Sequence, residues 1–265
     1  MRNLKVSTAA IATILACFSA TPPVAAQEWT PKTVVGMAEH ARLLTPPGLD
    51  RQMDRHGYEL KRGISMAYQS VAAEGRIGPI EEILQRQCEV AIQNIEMHKP
   101  FSEVIFQLGV VAYFVALAND PVGKFTQEQQ VPTYAADYFK YLEDANKRFA
   151  VLYYGEGRHF ESQADLEQLL ERSQARSKRQ APYVAQEYRR IGVINGRKLF
   201  DDRSTAFGIG ALAYSHTVSD IVGVLRYIWI RAGGADLRIL PPLDADHLIL
   251  ISPGASQTPG LRIER

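Results

Sequence analysis

From Phe101 to Ala118 the chain is apolar almost without interruption, and from Thr205 to Ala232 it is strongly apolar again. A helix that is apolar around its whole circumference cannot lie on a surface. It has to be wrapped by other helices. Gln107 and the flanking loops make the first stretch short for a bilayer crossing, which takes roughly 20 apolar residues. The two segments are therefore expected to be central core helices, not membrane spans. Asn119-Asp120-Pro121-Val122-Gly123 closes the first and Gly233-Gly234 the second.

Amphipathic helices are available to wrap them. Thr30-Pro31 is a cap with proline at the first helical position, and Val34, Met37, Ala38, Ala41 and Leu44 continue the period. A second helical stretch, from about Leu49 to Ala73, is expected to kink near Gly57 or Gly63. Ile80 to Met97 places Ile80, Ile83, Leu84, Val90, Ile92 and Ile95 at helical spacing. Pro132 to Phe149 reads as helix, with Tyr153-Tyr154-Gly155 in a following loop. Ala164 to Ile191 reads as a long helix interrupted at Pro182, whose basic middle (Arg172, Arg176, Lys178, Arg179) reads as a solvated face. Asn195-Gly196 marks a short turn. The expected fold is all-α, a compact multi-helix bundle.

The ends read differently. Arg2 and Lys5 precede an uncharged run from Val6 to Ala16, and Val24-Ala25-Ala26 offers a peptidase site. Residues 1–26 are thus expected to be a signal peptide and the product periplasmic or secreted. A lipoprotein anchored at Cys17 is the rival reading, which Leu15 in Ile14-Leu15-Ala16-Cys17 fits poorly. Loss of Arg2 and Lys5 takes the net charge from +1 to −1 and leaves Cys88 as the remaining thiol, so no internal disulfide is expected. Near-neutral charge argues against general nucleic-acid binding. Residues 27–234 form the helical domain. In the tail, 235–265, Asp236–Leu240 and His247–Ile251 are β-like, a possible hairpin before a loose Ser/Pro/Gly stretch.

Three segments carry a family resemblance. Trp29-Thr30-Pro31-Lys32-Thr33 is followed by Leu43-Leu44, Pro46-Pro47 and Arg55-His56. Leu108-Gly109-Val110-Val111-Ala112-Tyr113-Phe114-Val115-Ala116-Leu117-Ala118 leads into Asn119-Asp120-Pro121-Val122-Gly123. Gly210 to Gly233 contains Tyr227-x-Trp229 and Arg231-Ala232-Gly233. In order and spacing these resemble the zinc-dependent phospholipase C and single-strand nuclease superfamily, whose central helix has the pattern Leu-Gly-x-x-Ala-His-Tyr-x-Ala-Asp-x-x-Gln-Pro-Leu-His. The resemblance implies a helical bundle and a zinc cluster that activates water against a phosphodiester. It also implies that Tyr113, Leu117 and Gly123 stand where the helix ligands belong, and Val34 at the early histidine position. Asp137 and Tyr141 are a poor substitute for a later His-x-x-x-Glu pair. Trp29 is retained, but Gln27 and Glu28 would precede it after cleavage, so its amine is no longer free.

The remaining candidates are His216 and Asp220, four apart on the second apolar helix. They read either as a relocated metal or proton-transfer site or as a buried polar pair that satisfies itself. Tyr113 and Tyr214 are expected to approach one another, with His216 or Asp220 as a hydroxyl partner. His40 and His56 read as surface or cap residues, His98 as a helix end, and His159 with Glu161 as loop residues. The leading expectation is an exported protein without catalysis or cofactor, binding an envelope protein or lipid. The alternatives are a divergent metal-dependent phosphodiesterase using His216 and Asp220, with zinc as its cofactor, and an assembly partner recruited through the tail.

Overall fold

The computed structural model describes residues 28–74, 78–122, 132–155, 162–192, 196–235 and 249–251. Eight α-helices dominate them: α1 (Pro31–Arg42), α2 (Pro47–Arg55), α3 (Gly57–Glu74), α4 (Ile80–Glu96), α5 (Phe101–Ala118), α6 (Ala135–Ala145), α7 (Gln163–Ile191) and α8 (Thr205–Arg231). The all-α bundle read from the sequence is the fold. Residues 1–26, with the expected signal peptide and Cys17, lie outside the described residues, as do Gly123, His159, Glu161 and Asp236–Leu240.

α5 is the hub. It is long and apolar enough to cross a membrane, yet 72% of it is buried inside the bundle. α3 and α4 flank it closely, while α1, α7 and α8 complete the enclosure. The α3–α5 crossing depends on two glycines. A Cβ at Gly63 would lie 2.0 Å from the Phe106 carbonyl oxygen, and one at Gly109 would lie 2.2 Å from that of Leu60. Backbone meets backbone there, which no larger residue permits.

The break expected near Gly57 falls at His56, whose backbone departs from helical geometry, and Gly57 opens α3. Other local expectations change. α6 is shorter than the 132–149 helix expected, and a 3-10 turn (Asn146–Arg148) follows it. α7 runs unbroken through Pro182. That proline lies on the exposed face, where the carbonyl it cannot bond, that of Lys178, is open to water.

The expected loop at Tyr153 is instead a strand, β1 (Val151–Tyr153), paired antiparallel with β2 (Ile249–Ile251). The tail's β-like 249–251 therefore pairs with β1. The other edge of β1 is met by a helix. Leu152 N–H donates to Ser215 Oγ at 3.2 Å and Tyr154 N–H to Ser219 Oγ at 3.0 Å. Ser215 and Ser219 sit one turn apart on α8, so their spacing matches alternate residues of an adjacent strand.

Candidate functional site

Three of the positions at which the resemblance places zinc ligands are core positions. Val34, Tyr113 and Leu117 are fully buried. The Tyr113 hydroxyl donates to Glu28 Oε1 at 3.0 Å, and the Tyr68 ring meets that of Tyr113 edge-on at 6.1 Å. Burial, then the Glu28 carboxylate, holds the Tyr113 phenol far above its ordinary pKa, so it stays a neutral donor. Trp29 packs edge-on against Phe139 at 5.4 Å and is buried like the others. Valine and leucine offer no donor atom, and a tyrosine held neutral does not offer the phenolate a metal would need. These side chains do not fit a zinc cluster.

Asp137, the other candidate of this set, has a different occupation. Its Oδ2 accepts the Tyr188 hydroxyl at 2.8 Å and the Arg197 amide at 2.9 Å, tying the turn after α7 back to α6. Tyr141 faces Phe200 at 5.1 Å. Among the described residues, no group of three or more His, Cys, Asp or Glu side chains converges to hold an ion.

His216 and Asp220 share a face of α8, but they are not each other's hydrogen-bond partners. Asp220 is 1% exposed, and its Oδ2 accepts from Asn119 Nδ2 at 2.8 Å and Ser173 Oγ at 2.7 Å. It also forms a close ion pair with Arg176. The expectation of a self-satisfying His216–Asp220 pair is thus corrected. α7 brings a guanidinium to the same carboxylate, and a permanent charge is a stronger partner than an imidazole neutral near pH 7. His216 instead stacks on Tyr154 at 4.2 Å between centroids. Burial lowers its pKa to about 4. Arg176 and Arg179 push the same way, and Asp220 opposes them. A ring with that pKa is neutral near pH 7 and holds a proton too weakly for acid catalysis there.

Tyr113 and Tyr214 likewise have separate partners, and neither is His216 or Asp220. The Tyr214 hydroxyl lies 3.1 Å from His40 Nδ1. His40 is therefore no plain surface residue. It is half-buried, and burial lowers its pKa. His56 caps α2, and His98 ends α4 with a left-handed backbone (φ 53°).

Sequence reasoning missed Arg176, Asn119 and Ser173 as the partners of Asp220. Arg176 sits inside what reads as a solvated basic run, yet its side chain is only 16% exposed. Ser173 and Ser177 mark the inward face of α7, and Arg176 stands beside them at a spacing of three and one. That spacing sets Arg176 beside the inward face but does not identify Asp220 as its partner. The chain matches no family model, no curated protein and no solved structure.

Proposed function

We propose that this chain is a helical binding or structural protein that shares the plan of the phospholipase C and nuclease superfamily without its zinc chemistry. One observation carries the reading. Tyr113, at the place of a histidine ligand, is sealed in the core with its hydroxyl committed to Glu28. Hydrolysis of a phosphodiester in that family needs metal to generate the nucleophile and to neutralise developing charge. Val34, Tyr113 and Leu117 supply none of the donors, and Asp220 Oδ2 is already engaged by Arg176, Asn119 and Ser173. Removing a metal's outer partners alone typically weakens binding ~10–100-fold, so replacing several direct ligands abolishes the cluster.

The test is elemental analysis of protein purified without chelators, alongside hydrolysis assays on phosphatidylcholine and single-stranded DNA. We expect no stoichiometric zinc and no chelator-sensitive turnover. Tightly bound zinc that His216→Ala removes, together with turnover that a chelator stops, would replace this reading with that of a divergent phosphodiesterase.

A further inference from the structure

A titratable side chain lies at the joint between the strand pair and the helices. Val151 and Tyr153 turn inward from β1 and are buried, while Leu152 and Tyr154 alternate to a half-buried side. The inward pair fixes the strand to the core. The end of β1 at Tyr154 is held differently, by α8. The Tyr154 N–H donates to Ser219 Oγ, a hydroxyl that itself donates to the Ser215 carbonyl at 3.0 Å. Its ring stacks on His216 with an interplanar angle of 24°. Tyr153 pairs with Ile249 at this same end, where the tail joins the sheet.

Four groups face the imidazole: Arg176 and Arg179 from α7, Asp220 one turn along α8, and Tyr154 from β1. Two of them are permanent cations. Burial raises the pKa of the Tyr154 phenol, which stays neutral. The carboxylate is buried and already engaged by Arg176. A proton on His216 therefore enters a half-buried place beside two guanidiniums, and the one anion there is shared with another cation. The ring takes the proton readily only by gaining water. Tyr154 is the cover on its face. Gly155 follows with a left-handed backbone (φ 66°), a point at which the chain can turn without hindrance from a side chain.

We propose that His216 and Tyr154 form an acid-released clasp on the end of β1 where the tail is paired. While the imidazole is neutral, it keeps Tyr154 in the stack and this end of the strand on α8. Proton uptake unstacks Tyr154, brings the imidazolium into water and lets the end of β1 fray from the helix. Val151 and Tyr153 stay in the core, so the bundle remains folded. The sign follows from linkage. The open form binds the proton more tightly than the closed form, so a falling pH favours opening. With the ordinary value of 6.5 in the open form and about 4 in the closed form, the opening constant rises up to ~20-fold between pH ~7 and pH ~5.

NMR on the full chain tests the clasp. The His216 Cε1–H resonance reports protonation, and amide exchange reports opening. We expect protection of the Tyr154 amide to fall ~5- to 20-fold from pH ~7 to pH ~5, while the amides of α5 keep theirs. His216→Gln takes up no proton over this range and should leave Tyr154 equally protected at both pH values. Tyr154→Ala removes the cover and should raise the His216 midpoint by about one pH unit or more, whereas Tyr154→Phe keeps the ring and should move it little. Helical circular dichroism establishes that each variant folds. An imidazolium formed with Tyr154 protection undiminished would mean that the stack survives as a cation–π contact, and would overturn the clasp. Joint loss of Tyr154 and α5 protection, an equal loss in His216→Gln, or a His216 midpoint unmoved by Tyr154→Ala would each overturn it as well.

Discussion

At the scale of single residues, the Asp220 carboxylate is the most consequential charge in the core. It is buried, and Arg176 is the cation that balances it. Taking away one member of such a pair strands the other, which costs about 3–5 kcal/mol. Arg176→Ala should therefore destabilise the chain by that order in chemical denaturation, while His216→Ala should cost far less, since no hydrogen bond to Asp220 depends on it. His216 instead sets a pH dependence. Its folded pKa of about 4 lies below the ordinary value of 6.5, so the unfolded chain binds the proton more tightly. Stability is then intact above pH ~6.5 and falls as the pH drops toward ~4, with His40 adding in the same direction. His216→Gln should flatten that acid limb. A melt series in which the variant and the parent lose stability equally over that window would refute the assignment.

At the scale of elements, the α3–α5 crossing is the least forgiving contact. Gly63→Ala or Gly109→Ala would drive a methyl group into the opposing main chain, so the two helices would have to separate. Overpacking of this kind typically costs about 1–3 kcal/mol, and contact with main chain puts it at the upper end. A melting temperature unchanged in either variant would show that the crossing is looser than described. α5 and α8 were legible because uninterrupted apolar character has one physical solution, enclosure. Gly63 and Gly109 were not legible as a contact, because nothing local tells a glycine that admits a helix from one that merely ends a turn. Pro182 misled for a related reason. Proline's cost depends on whether the freed carbonyl reaches water, and that depends on which way α7 faces. The Arg176–Asp220 pair lay hidden because its members are 44 residues apart on different helices. β1 lay hidden because three residues whose partners are two serines and a distant tail carry no periodic signal.

At the scale of the whole molecule, the bundle closes on itself from α1 to α8, and among the described residues the tail meets it through β2 and through the Ala235 carbonyl, which accepts from Trp229 Nε1. A chain ending before Ile249 should retain its helical circular dichroism and melt within a few degrees of the parent. Loss of the helical signal would mean that the tail helps to build the bundle. The serines of α8 have a broader effect. A strand normally presents two rows of hydrogen-bonding groups, and each unfilled row is an invitation to another chain. In β1 one row is occupied by side chains on a helix, which cannot be lengthened, copied or stacked as another strand can. On that side the sheet has nowhere to grow, so the molecule closes a route to fibrils with two hydroxyl groups.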